Sequence, residues 1–248
     1  MSWVAEAFGS WYPLVYPHRD VAEAARLIEA LDALLAWRGR RVLDVGCGAG
    51  RHLAPLERKG AQVVGVDLSR TLLREATGAR EAAGGGWELV RGDMRALPFR
   101  DASFDVATSF FTSFGYFDEA EDRRALGEAA RILRPGGRHV LDYLNREMVL
   151  AHPNRTGERT EKGYVVREDR RVADGGRHAI KEIEIRDAAG ETVAHYEERV
   201  TLYAPAEVRG FLAEAGLTTL REWGAYDGSP FDAARSLRHV LVSGKEPA

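Results

Sequence analysis

The chain predicts an α/β protein, a doubly wound, mostly parallel seven-stranded sheet with an antiparallel β insertion after the fifth strand. Three observations lead there. Short apolar runs alternate with helix-periodic stretches between residues 41 and 144, the pattern of repeated βα units around a parallel sheet. A glycine turn, Gly46-Cys47-Gly48-Ala49-Gly50, follows the first run, Val42-Leu43-Asp44-Val45. Beyond Asn145 apolar and charged residues alternate, as in antiparallel strands with one wet face. With 248 residues, 45% hydrophobic and 29% charged, the chain is long enough to bury one good core and has an ordinary globular composition. The expectation is a single domain over residues 1–248, with an N-terminal helical cap over 1–38 and a β-meander insertion over 155–203.

The elements follow in order. Residues 20–37 carry apolar side chains at 21, 24, 27, 28, 31, 34 and 35, which is helical spacing, and Asp20 with Glu23 forms a capping pair. Strands are expected at about 41–45, 62–67, 87–91, 104–110 and 138–144, and helices at about 50–59, 70–83 and 119–133. Asp118 with Glu121 opens the last of these helices and Pro135-Gly136-Gly137 ends it. Residues 163–172, 177–186 and 191–203 read as a three-stranded meander, with turns at Asp174-Gly175-Gly176 and Asp187-Ala188-Ala189-Gly190. The mixed charges of 155–171 (Arg155, Arg159, Lys162, Arg170 and Arg171 among Glu158, Glu161 and Glu168) read as its solvated face. A helix at about 205–215 and strands at about 217–224 and 238–244 complete the chain.

Bulk properties narrow the function. A net charge of −3 supplies no field favouring nucleic acid or an anionic membrane. Cys47 is the only cysteine, so no intramolecular disulfide forms, and no apolar stretch has the length of a membrane span. The expected setting is cytoplasmic, without nucleic-acid or membrane partners, as a monomer or homodimer. The histidines at 18, 52, 139, 152, 178, 195 and 239 show no ligand spacing, so no metal is expected.

Chemistry concentrates at the glycine turn. Glycine suits positions 46, 48 and 50 because a sharp turn brings the backbone against a ligand with no Cβ in the way. A second apolar run, Val63-Val64-Gly65-Val66, delivers Asp67 beside it, and a carboxylate there can accept both hydroxyl hydrogens of a ribose. The glycines run G-x-G-x-G rather than the G-x-G-x-x-G of a dinucleotide turn, and Asp44 precedes them. A carboxylate facing the turn repels a pyrophosphate and suits an ammonium or a sulfonium.

The stretch Leu43 to Gly50 resembles motif I of the class I S-adenosylmethionine-dependent methyltransferases. Gly92-Asp93-Met94-Arg95-Ala96-Leu97-Pro98-Phe99 is similar to that family's third motif, Phe104-Asp105-Val106-Ala107 to the start of its fourth strand, and Leu133-Arg134-Pro135-Gly136-Gly137 to its turn into the fifth. Four motifs in order over about residues 40–145 make the resemblance specific for that half of the chain and thin for the rest.

The resemblance implies a cofactor site for S-adenosylmethionine, with S-adenosylhomocysteine as product. Gly46, Cys47 and Gly48 would approach its methionyl and ribose parts, Asp67 the ribose hydroxyls, and Leu68 the adenine. Asp93, with Gly92 and the Met94 backbone, would meet the adenine amino group or else cap its own turn. Asp44 either reaches the methionyl ammonium or braces the turn, and His52 either meets the methionyl carboxylate or is idle. Ser109 and Phe110, where the fourth strand ends, complete the set. Cys47 sits inside the cofactor turn, which disfavours a cysteine nucleophile. Thr108-Ser109-Phe110-Phe111 lacks the Asn/Asp-Pro-Pro-Tyr pattern of amide and nucleobase methylation, and Ser109 is not the acid of the metal-dependent catechol type.

Three groups are candidates for an acceptor pocket: Trp11, Tyr12, Tyr16 and His18; the run Phe110 to Tyr116; and Tyr143 with Asn145. Of these, Tyr16, Tyr143 and Asn145 are the candidates for positioning the acceptor. The expected activity is metal-independent methyl transfer to N or O of a small molecule. A non-catalytic S-adenosylmethionine-binding or partner-binding module on the same fold is the main rival, and a nicotinamide dehydrogenase the weaker one.

Overall fold

In the computed structural model, residues 9, 11–17 and 21–247 are described. Asp20, of the expected capping pair, and His18 lie outside them. Helix α1 (Tyr12–Val15) and helix α2 (Val21–Leu35) precede strand β1 (Arg41–Val45). The α2 face carrying Ala24, Leu27, Ile28, Leu31 and Leu35 is buried, the stripe its apolar spacing predicts. Then come α3 (Leu53–Arg58), β2 (Gln62–Asp67), α4 (Arg70–Ala83), β3 (Glu88–Arg91), β4 (Phe104–Ser109), α5 (Glu119–Ile132) and β5 (Leu133–Leu144).

The second half holds α6 (Arg146–Ala151), β6 (Arg155–Glu161), β7 (Tyr164–Ala173), β8 (His178–Arg186), β9 (Thr192–Thr201), α7 (Pro205–Glu214), β10 (Leu217–Trp223) and β11 (Arg238–Lys245).

The main sheet has seven strands in the order β10-β11-β5-β4-β1-β2-β3. Strand β1 pairs in parallel with both β2 and β4, so the order reverses there, and β11 runs antiparallel to β5 and β10. In such sheets ligands bind beyond the carboxyl ends of the strands at the reversal point. Both faces are covered, one by a cluster including Leu43, Val64, Phe104, Leu126 and Leu212, the other by Leu27, Trp37, Leu53, Val63 and Val240.

Local chemistry sets the ends of the elements. Ser69 caps α4 by accepting from the Leu72 N–H at 3.2 Å, and Asp118 caps α5 by accepting from the Glu121 N–H at 2.9 Å, the predicted start. Helix α5 ends at Ile132 and the chain enters β5 at once, so Pro135-Gly136-Gly137 lies inside the strand. The register with β4 slips between Phe104 and Val106, where proline cannot donate to the ladder.

The insertion differs from expectation. It is a four-stranded antiparallel sheet, β6-β7-β8-β9, not three strands. Residues 155–161, read as a charged solvated face, form edge strand β6, paired from Arg155↔Arg170 to Glu161↔Tyr164. Helix α1 packs on its inner face through Leu14 and Val15, against Val166, Ile183, Ile185 and Tyr196. Among the described residues no helix is long and apolar enough to cross a membrane.

Candidate functional site

A cavity of about 790 Å³ opens beyond the carboxyl ends of β1, β2 and β4. The glycine turn forms its floor. Gly46 and Gly48 have φ of +72° and +55°, which side-chain-bearing residues rarely adopt. A Cβ on Gly46 would lie 2.7 Å from Ser113 Oγ, so the loop after β4 closes down only because position 46 is bare.

Asp67, where β2 ends, faces the turn. Its Oδ2 accepts from the Gly48 N–H at 2.8 Å and its Oδ1 from the Ser69 N–H at 2.7 Å. Burial pushes its carboxyl up while these amides hold it down. Each oxygen keeps a second lone pair for a ligand hydroxyl.

Asp44 lies beneath the turn and is 1% exposed. Its Oδ1 accepts from Thr108 Oγ1 at 2.9 Å, whereas its Oδ2 has no hydrogen-bond partner among the described residues. Burial pushes this carboxyl up to about 7. An orphaned, buried carboxylate oxygen calls for a cation. Arg51 lines the cavity with the complementary vacancy: its Nη1 donates to Glu23 at 2.8 Å, and its buried Nη2 has no partner among the described residues. Arg51 thus brings an unsatisfied donor to the cavity, while the unsatisfied Asp44 acceptor lies behind the lining, 3.9 Å from His52 Nδ1.

His52 lines the cavity but packs at a tilt of 37° against Phe110 with ring centroids 4.5 Å apart. Burial, aided by Arg51, holds its imidazole well below the usual range, so it is neutral and attracts no anion. Arg51, overlooked in the sequence, is the cation at this turn. The Cys47 thiol is buried and pushed up, which keeps it inert.

Gly92, Asp93 and Met94 also line the cavity, with Leu68, which is 41% exposed. Asp93 caps its own turn, accepting from the Arg95 N–H at 2.9 Å, and its carboxylate pairs with the Arg95 guanidinium at 2.7 Å, which holds it below the usual range. A short segment of α1 and the β6–β7 hairpin tip form the far wall, through Tyr12, Tyr16, Glu161 and Lys162.

Four sequence candidates lie off the lining, Asp44 beneath the turn and three elsewhere. Tyr143 is fully buried among Phe114 and Tyr203, with its hydroxyl donating to the Thr201 carbonyl. Asn145 caps α6 and donates to the Ala233 and Ser236 carbonyls at 2.8 and 2.7 Å. Neither lines the cavity; Asp142, on the opposite face of β5 from Tyr143, is itself buried but holds Phe111, which does line it. Ser109 is buried and also off the wall. Asp142 does the positioning: it accepts from the Phe111 N–H at 2.8 Å, from Tyr226 Oη at 2.6 Å and from Arg238 Nε at 2.8 Å. This anchors Phe111 and Thr112 at φ of +52° and +63°, a costly conformation beside the cavity.

Residues 42–137 match a family model described as a methyltransferase domain. Over 250 residues the chain is 33% identical to the cypemycin N-terminal methyltransferase of a Streptomyces species, covering 93% of this chain and 97% of that one. The chain belongs to the S-adenosylmethionine-dependent methyltransferases.

Solved structures agree with this methyltransferase fold. The CcbJ methyltransferase of Streptomyces caelestis superposes with a TM-score of 0.80 at 24% identity, covering 99% of this chain and 96% of that one. The S-adenosylmethionine-bound amino pentose methyltransferase CalS10 of Micromonospora echinaspora gives 0.71 at 26% identity, covering 94% and 96%. The cofactor of the methyltransferase is therefore S-adenosylmethionine, and the dehydrogenase reading is set aside. Among the described residues no group of three or more His, Cys, Asp or Glu side chains could hold a metal ion.

Proposed function

We propose that this methyltransferase moves a methyl group to N or O of a small molecule held between the glycine turn and the α1–hairpin wall. The observation that carries the reading is the single cavity lining shared by both sides: Gly46, Asp67 and Met94 on one, Tyr12, Tyr16 and Glu161 on the other. The turn's residues fit the cofactor. The orphaned Asp44 Oδ2 takes the methionyl ammonium, Arg51 Nη2 the carboxylate, and the free lone pairs of Asp67 the ribose hydroxyls. Leu68 and Met94 flank the adenine; Asp93, committed to Arg95, contributes mainly a fixed turn.

When bound, S-adenosylmethionine supplies an electrophilic methyl carbon, so the protein has to orient the acceptor and exclude water. Phe110, Phe111, Tyr12 and Tyr16 give the cavity aromatic faces, which favour a sulfonium and keep solvent from the reacting atoms. The cavity admits a molecule of drug-like size rather than a folded macromolecule, and the acidic net charge offers nothing to nucleic acid. The cypemycin relative is named for N-terminal methylation and CalS10 for an amino pentose, which supports a small or terminal acceptor here.

The test is transfer of radiolabelled methyl from S-adenosylmethionine into a cell extract, then separation of small from large molecules. Label in the small fraction is the expected result. Label confined to protein or nucleic acid overturns the acceptor class.

A further inference from the structure

The inner face of the insertion sheet is half apolar and half charged. Under α1 it carries Val166, Ile183, Ile185 and Tyr196. One step along, the same faces of β7, β8 and β9 present Glu168, Lys181 and Glu198, all less than a tenth exposed. Burying ionisable groups is costly, and hydrocarbon side chains would serve the packing better.

The two carboxylates are not alike. Glu168 is neutralised three times, by Arg159 from β6 at 2.8 Å, by Arg170 on its own strand at 3.0 Å and by Lys181 from β8 at 3.4 Å. Glu198 has Lys181 only at 4.0 Å. Its Oε2 accepts from the Tyr16 hydroxyl at 2.5 Å, and its buried Oε1 has no hydrogen-bond partner among the described residues. The Tyr16 ring lies 4.0 Å from Lys181 Nζ and forms part of the cavity wall, with Tyr12 and Tyr116 beside it. A phenol in the wall of the reaction cavity therefore backs onto a weakly neutralised carboxylate, 182 residues away in sequence.

We propose that Glu198, acting through the Tyr16 hydroxyl, takes the proton of an acceptor that arrives as an ammonium, so that the enzyme methylates amine nitrogen. This rests on the methyl-transfer reading above and narrows its acceptor class. The acceptor N–H bond breaks as its proton passes to Tyr16 Oη. The Tyr16 proton moves to Glu198 Oε2, which regenerates the phenol and leaves a neutral nitrogen with its lone pair free. Glu198 returns the proton to solvent after the product leaves. Glu198 is thus a positioning and proton-storing residue, and Tyr16 is the group that touches the acceptor.

Three other groups on the cavity are unsuited. His52 is neutral and packed against Phe110, Asp67 is committed to two backbone amides, and Asp93 is paired with Arg95. The charged and titratable groups facing Glu198 are Lys181 from β8, Glu168 and Arg170 from β7, Tyr196 on β9 itself, Tyr116 from the loop after β4, and Tyr16 from the N-terminal segment. Burial, with Glu168, raises its carboxyl against the pull of Lys181, Tyr16 and Arg170. A raised carboxyl is a better proton acceptor near neutral pH than an ordinary one.

The experiment uses amino sugars and peptides with a free N-terminus, each paired with its hydroxyl or N-acetyl counterpart, as acceptors for radiolabelled methyl. Label should enter the amines and not their counterparts. With a turned-over amine, Glu198→Gln should lower kcat about 100-fold at pH 7 with KM within about threefold. Its residual activity should rise only at alkaline pH, where the amine loses its proton in solution, at about pH 8 for an N-terminus and about 10 for an alkylamine. Glu198→Asp should recover part of the wild-type pH profile. Thermal melting and S-adenosylhomocysteine binding separate a misfolded variant from a folded one. A Glu198→Gln enzyme with the wild-type pH profile overturns the proposal, as does a protein that binds cofactor yet methylates no amine. Label in a hydroxyl counterpart overturns it too, while leaving methyl transfer itself intact.

Discussion

The glycine-turn end of the cavity and the insertion wall opposite it bury charge in contrasting ways. At the turn, Asp44, Arg51 and Asp67 come from a stretch of 24 residues, and the partner proposed for their spare atoms is the cofactor. On the insertion wall, Tyr16 and Glu198 meet from opposite ends of the chain, and the partner proposed for them is the acceptor, named differently among relatives. A ligand of fixed shape can be served by a local motif. A variable one is served by an appended sheet whose inner face can change without disturbing the βα core.

If that division holds, substitutions at the turn act on cofactor affinity. The largest effect is expected from Asp67→Ala, which removes the acceptor of the Gly48 and Ser69 N–H groups as well as a charge-assisted contact to ribose. Losing such a contact costs about 1.5–3 kcal/mol, so calorimetry should show S-adenosylhomocysteine affinity falling roughly ten- to hundredfold. Wild-type affinity in that variant would break the assignment.

A pH titration gives the next largest effect. Asp44 has a carboxyl pushed up to about 7 in the cofactor-free protein. An ammonium beside it favours the ionised form, so the bound value is lower than the free one. Binding is therefore full above pH 7 and weakens as pH falls through 7 toward the bound value, by up to about tenfold per unit. Asp44→Asn should abolish this dependence. It should also raise the melting temperature at pH 8, because a buried charge with a raised folded value destabilises the protein above its unfolded value. A pH-independent wild type between 5 and 7 would remove the ammonium from this site.

The smallest effect belongs to Leu68, exposed without the cofactor at 41%. Leu68→Ala should weaken S-adenosylhomocysteine binding only a few-fold, with stability within about 0.5 kcal/mol of wild type, as for other surface changes. A loss as large as that of Asp67→Ala would mean that the adenine, not the ribose, anchors the cofactor.

The same contrast explains what the sequence discloses. The βα half is legible because apolar runs, glycines and caps act locally, and its strands appear where the patterns place them except that β5 begins early, at Leu133. Strand β6, Arg155-Thr156-Gly157-Glu158-Arg159-Thr160-Glu161, has no apolar face to announce it; backbone pairing to β7 makes it a strand. Tyr143 and its neighbour Asp142 lie on opposite faces of β5, and it is Asp142, buried behind the wall, that holds the cavity-lining Phe111. Glu198 was hidden differently. It follows Glu197, and the pair reads as wet surface, although Glu198 shares the inner face with Tyr196 and Val200. Arg51 is not singled out by the sequence, where His52 beside it is the candidate for the methionyl carboxylate, and only burial shows the histidine to be neutral.

The most direct test of this division of labour is calorimetric titration of S-adenosylhomocysteine into the Glu198→Gln protein beside Asp67→Ala. The account predicts wild-type affinity, within about twofold, for Glu198→Gln, and a loss of at least tenfold for Asp67→Ala. Equal losses in the two variants would contradict it, because the insertion wall would then belong to the cofactor site.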